Sequence, residues 1–251
     1  MMNAVLNTID TFRAVRVRHM SRYWEALADL PPALLPYWQR SAHSEFKGIP
    51  QDAFFFMRAT EGLLTFFDCI GHSDRPCGLP SRAADSVWHA WLRLSPASLD
   101  AYCLKHFGRS IPHVEGVAMI GGMEDALANT LVQARLLEGR KAADLSVPRL
   151  FGLDLKLRMP GGFGYNKDGI KLAYRHMDQS GKLAGETYYP GHFAAAELLA
   201  LGLISQHDFD EHLQRAKGGD GSGCGSGGSS CDGGGGGDGG GCGGGCGGGC
   251  G

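Results

Sequence analysis

Apolar residues recur at helical spacing through the first two-thirds of the chain. Val5, Ile9, Phe12, Val15, His19 and Tyr23 repeat at intervals of three and four, predicting a long amphipathic helix that runs to about Leu30, where Pro31 and Pro32 stop it. A second helix is predicted from Ala33 to Phe46. The third, Asp52 to Ile70, carries Phe54, Phe55, Phe56, Leu63, Leu64, Phe66 and Phe67, and so much apolar surface places it at the centre of the core. After a loop over residues 72–80, Ser81 caps a helix that continues to Leu94. Ser95 followed by Pro96 joins a cap to the favoured first-turn proline of another helix, which ends at Gly108. From Met123 to Glu138 the apolar repeat is Leu127, Leu131 and Leu137, with Gly139 in the stop position.

Between about Pro148 and Pro190 the period changes. Gly161, Gly162 and Gly164 interrupt any helix and read as a flexible turn, while the following segment reads as two strands around a turn, a β-hairpin near residues 170–190. The body then returns to helix. Gly202 ends one segment, Ser205 caps the next with Asp208 reaching back, and Phe209 and Leu213 continue its apolar side, leaving His207 and His212 on the exposed side. The fold class predicted is mainly α, a single helical domain over residues 1–217 with a small β-hairpin, followed by a tail over residues 218–251.

Composition changes the picture only at that tail, which is nearly all Gly with Cys224, Cys231, Cys242, Cys246 and Cys250. Glycine offers no apolar surface against a backbone ordering cost of roughly 1–2 kcal/mol per residue, so a disordered tether is expected. Its thiols, Cys242, Cys246 and Cys250 above all, are candidate ligands for Zn(II) or Cu(I). Formal charge is −2, and Asp220, Asp232 and Asp238 in the tail leave the body near neutral, which gives no case for nucleic acid. Arg13, Arg16, Arg18 and Arg22 on the first helix read as a solvated face. The start lacks a basic region followed by an apolar run, and no apolar stretch approaches the ~18–20 residues of a membrane span. A cytoplasmic location is therefore expected, with no membrane partner and with thiols reduced rather than paired.

The densest polar and aromatic set lies between Ala83 and His113. Asp85 and His89 stand four apart on one helical face, so the carboxylate can orient the imidazole or both can reach one ligand. Trp88 and Trp91 flank that face, and Tyr102, Cys103, His106 and His113 follow. Three readings are open. In the first, these side chains pack the helix pair and satisfy one another. In the second, His89, His113 and Cys103 hold a metal, zinc suiting imidazole and thiolate, with Asp85 behind them or as a fourth ligand. In the third, Cys103 is a nucleophile with a His base oriented by Asp85. Cys69 reads as a core residue, and Cys77 with His72 either as two soft ligands or as a surface loop carrying a free thiol.

The runs D-S-V-W-H-A-W (Asp85 to Trp91), Y-C-L-K-H-F-G (Tyr102 to Gly108) and I-P-H (Ile111 to His113) resemble the glycine-rich domain-containing protein family, whose signature positions match Asp85, Trp88, His89, Tyr102, Cys103 and His113. Trp91 stands where many of those relatives carry another His. The resemblance implies no particular activity. The C-terminal stretch, residues 192–217, resembles the short helical hairpin called SHOCT, which implies self-association or docking to another protein. Together these observations give the expectation of a non-enzymatic binding or scaffold protein that takes up Zn or Cu, or senses oxidants through its cysteines. A metallo- or thiol-dependent enzyme using Asp85, His89, Cys103 and His113 is the alternative. A second alternative makes the tail a substrate for azole-forming modification.

Overall fold

A computed structural model describes residues 2–114 and 122–218. The fold is mainly α with one small antiparallel sheet, as the hydrophobic pattern predicts. Its helices are α1 (Met2–Met20), α2 (Trp24–Ala28), α3 (Leu34–Glu45), α4 (Ala53–Gly71), α5 (Arg82–Leu94), α6 (Pro96–Phe107), α7 (Gly122–Leu137), α8 (Leu153–Leu157), α9 (Ala195–Ala200) and α10 (Gln206–Gly218). The strands are β1 (Phe163–Asp168), β2 (Lys171–Met177) and β3 (Leu183–Tyr188). The tail cysteines, Cys242, Cys246 and Cys250 included, lie outside the described residues.

Helix α4 is the hub. Asp52 caps it by accepting from the Phe55 N–H at 2.8 Å, and α1, α5, α6, α7 and α8 all pack against it. Phe55, Phe56, Leu63, Leu64, Phe66 and Phe67 are buried along its length, each contributing about 1.5–3 kcal/mol of transfer free energy. Gly62 admits α8: a Cβ there would fall 2.3 Å from Leu153 Cδ2. On the other side, Trp38 of α3 is fully buried, stacks on Phe55 and donates its indole N–H to Ser86 Oγ at 3.0 Å. That bond sets α3 against α5.

Three details depart from the sequence reading. The first predicted helix is two, because Ser21 is buried and its Oγ accepts from the Tyr23 N–H at 3.1 Å, a local bond that competes with the helical ladder between α1 and α2. The predicted hairpin has a third strand. Residues 163–168, which include Gly164 of the glycines read as a flexible turn, pair with β2 from Phe163↔His176 to Asp168↔Lys171, in a sheet ordered β1-β2-β3. Lastly, His212 is buried, with Nδ1 3.2 Å from the Ala143 carbonyl, because the hairpin of α9 and α10 lays its apolar side (Leu198, Ile204, Phe209) on Ala128 and Val132 of α7. The capping of that hairpin follows the sequence: Gly202 adopts φ 65°, and Ser205 and Asp208 exchange side-chain-to-backbone bonds, both at 3.1 Å.

Helical body and sheet meet at Asp154, a fully buried carboxylate on α8. It accepts from Ser81 Oγ at 2.6 Å, from the Ala83 and Arg82 N–H groups at 3.0 Å and from the Phe163 N–H at 3.1 Å. Burial pushes this carboxyl up, opposed by the Ser81 hydroxyl and the three N–H donors. Gly162 lets it approach, since a Cβ there would sit 2.7 Å from Oδ2. So the glycine cluster makes room for a protein carboxylate at the start of β1.

Asp154→Ala strands all four donors and is expected to lower stability by about 3–5 kcal/mol. At roughly 2–4 °C per kcal/mol for a domain of this size, the melting temperature followed by circular dichroism should fall by about 10 °C. A fall of only a degree or two would contradict this role for Asp154.

Candidate metal centre

Helix α5 begins on Ser81, whose Oγ accepts from the Ala84 N–H at 3.2 Å while donating to Asp154. Its first turns present Asp85 and His89 one above the other, and both side chains are half-buried. His113 comes from the segment after Gly108, which takes the left-handed φ of 72° and turns the chain back. Buried Ile111 fixes that segment to the core, and the His113 ring meets Trp88 edge-on with centroids 4.5 Å apart.

Three ligand atoms therefore converge. His89 Nε2 lies 3.1 Å from His113 Nε2 and 3.4 Å from Asp85 Oδ1, and His113 Nε2 lies 3.6 Å from the same oxygen. His89 Nδ1 is 2.5 Å from Glu45 Oε1, at the end of α3. Only an Nδ1–H can make that contact with a carboxylate, so in neutral His89 the lone pair is on Nε2, aimed at the cluster. Arg93 binds the other Glu45 oxygen. The arrangement is imidazole and carboxylate donors facing one another, which only a proton or a metal cation can reconcile.

Cys103 is not in this group. Among the described residues the set of convergent ligands is Asp85, His89 and His113, whereas Cys103 is fully buried on α6, near Tyr102. Of the expected set His89, Cys103, His113 and Asp85, the structure brings together Asp85, His89 and His113 and leaves Cys103 buried on α6, apart from them. Burial pushes Cys103 up to about 12, with Asp100 adding to the effect, so the thiolate nucleophile is also set aside. Cys77 departs from the free surface thiol as well. It is buried, pushed up to about 11 chiefly by that burial, and Asn129 of α7 ties its loop down through Ser73 and the Arg75 and Pro76 carbonyls. His72 remains exposed, with Nδ1 on the Asp68 carbonyl. Cys69 is a core residue, as expected.

Glu45 and Arg93 were missed in the sequence. Glu45 lies 44 positions from His89, and the packing of α3 on α5, with Trp38 on Ser86 and Phe46 against the His89 ring, brings it near; no local spacing signals that. The site opens on a cavity of about 590 Å³, lined by Asp85, Trp88, His89 and His113 at one part and by Phe66, Ile70, Leu79, Met123 and Phe163 elsewhere. No described helix is long and apolar enough to cross a membrane.

A family model described as UCP032817-like matches residues 56–187, which span α5, His113 and the first two strands and reach into the third. Neither the curated proteins nor the solved structures contain a match.

The raised thiols make a prediction. Because Cys77 and Cys103 titrate higher folded than free, the stability gained from holding them protonated is present below the ordinary thiol range and is lost as pH rises toward 11–12. At pH 8, in protein whose five tail cysteines are Ser, Cys69, Cys77 and Cys103 should resist dithionitrobenzoate until guanidinium is added. Rapid native modification of Cys103 would contradict its placement.

Proposed function

The chain belongs to the UCP032817-like family, and from the site's geometry we propose that it is a metal-dependent protein in which Asp85, His89 and His113 hold one divalent ion, zinc in preference. The observation that carries this is the triangle of 3.1, 3.4 and 3.6 Å between the three donor atoms. Bonds of about 2.0–2.1 Å place tetrahedral ligands about 3.3–3.4 Å apart, whereas octahedral neighbours at similar bond lengths lie about 3.0 Å apart. The measured edges favour the tetrahedral arrangement. Glu45 then acts as the carboxylate that fixes the His89 tautomer and raises its basicity, itself held by Arg93.

Three protein donors leave a fourth tetrahedral position, and an open position beside a sizeable cavity is the habit of catalytic rather than structural zinc. This favours an enzyme over the binding or scaffold protein expected from sequence. Zinc held by Asp85, His89 and His113 would supply Lewis-acid chemistry, polarising an oxygen of a ligand bound beside it. The residues of the chain do the rest: Trp88 and Ile111 hold His113 in place, and the wall of the cavity offers apolar surface to a bound ligand. The resemblance to the glycine-rich domain-containing family rests on Asp85, Trp88, His89, Tyr102, Cys103 and His113, all within residues 56–187, and we read three of those positions as ligands.

Elemental analysis with competitive chelator titration tests the proposal in full-length protein carrying Ser at the five tail cysteines. About one zinc per chain is expected. His89→Ala, His113→Ala or Asp85→Ala should abolish retention, Cys103→Ala should leave it intact, and Glu45→Gln should weaken affinity about 10–100-fold. Loss of metal with Cys103→Ala, or none bound before any ligand is changed, would overturn the reading.

A further inference from the structure

The cavity beside Asp85, His89 and His113 carries a charge pattern that the metal does not require. Arg75, Arg82 and Arg109 all contribute to its lining, and none of the three forms an ion pair with a described carboxylate. Their neutral commitments are few: Arg109 donates to the Ile70 carbonyl at 3.3 Å, Arg75 donates to the Leu201 carbonyl, and the Arg82 guanidinium lies 5.4 Å from the Phe46 ring centroid. Arg82 Nε is buried without a partner. So is the indole N–H of Trp88, a residue only 5 % exposed that lines the same cavity.

Against these stand two carboxylates in the lining, Asp74 and Asp85, the second of which is taken up by the imidazoles. Apart from two serines and the imidazoles, the remaining wall is mostly apolar, with Phe66, Ile70, Leu79, Ile111, Met123 and Phe163. Guanidinium forks match carboxylate geometry with two parallel bonds, a fit that a neutral group cannot reproduce. A volume of about 590 Å³ is that of a drug-sized organic molecule. We infer that this cavity binds an organic carboxylate with an apolar body, the anion recognised by the unpaired arginines of the lining, Arg82 and Arg109 among them, and the apolar part lying along Phe66, Ile70 and Leu79. The inference rests on the metal reading for which group of the ligand meets the ion, while the recognition of the anion belongs to the arginines.

The probes are 2-naphthoate and its neutral isostere 2-naphthamide, titrated calorimetrically into the full-length, zinc-loaded protein. Naphthoate should bind about tenfold or more tighter than the amide, the scale of one charge-assisted hydrogen bond in a partly dry site. In Arg82→Gln/Arg109→Gln, and in Arg109→Gln alone should the double variant not fold, the preference should collapse toward parity with zinc content unchanged. Equal binding of the two probes, or binding of neither, overturns the inference. It is also overturned if the preference survives in both arginine variants and vanishes with chelator, since the carboxylate would then be on the metal. Failure of the metal reading looks different: a protein that holds no zinc yet keeps an arginine-dependent preference for naphthoate retains this site and loses the ion.

Discussion

Asp154 is the constraint on which the rest of the structure depends. A carboxylate with no exposure to water must be met by donors, and this one is met by four from two distant places in the chain: the cap and first two N–H groups of α5, and the start of β1. It therefore fixes where α5 begins and in what rotation, and it ties the sheet to the same point. Everything in the site follows from that rotation. Asp85 and His89 are on the face of α5 that looks toward the segment carrying His113, and Ser86, one residue on from Asp85, receives the indole of Trp38. That second bond carries Glu45, at the far end of α3, to His89.

The resulting cluster holds together through opposed demands. Glu45 accepts a hydrogen bond from His89 Nδ1–H, which leaves the Nε2 lone pair facing another imidazole and a carboxylate at 3.1 and 3.4 Å. His89 and His113 also meet each other, ring against ring and Nε2 to Nε2, so the three are set both by the packing around them and by their own contacts. Trp88 and the buried Ile111 set His113, and the Asp154 cap at the base of α5 sets the helix that carries Asp85 and His89. Such preorganisation is what a metal with an open position needs, because ligands that have to be gathered give up affinity to do so.

Much of this was legible in the sequence, for physical reasons that can be named. Helix ends were readable where a side chain does the capping locally: Asp52, Ser81, Ser95 and Ser205 all accept from N–H groups three positions on. The i to i+4 spacing of Asp85 and His89 predicted their shared face. What escaped depends on contacts distant in sequence. Cys103 follows Tyr102, so a signature that contains both gives no hint that the thiol turns into the helix pair while His113 reaches the cluster. Glu45 carries no local mark of its role. Gly162 looked like a flexible turn because glycine is silent about why it is small, and the reason lies eight positions earlier in a carboxylate that needs the space. His212 was read from helical position alone, without the α7 surface that buries it.

Zinc K-edge absorption of the full-length protein, with Ser at Cys224, Cys231, Cys242, Cys246 and Cys250 and one equivalent of zinc added, tests the proposed centre most directly. The account predicts a shell of nitrogen and oxygen at about 2.0–2.1 Å, with imidazole outer-shell scattering fitting two histidines and no sulfur. A sulfur scatterer at about 2.3 Å, which only Cys69, Cys77 or Cys103 could then supply, would contradict it.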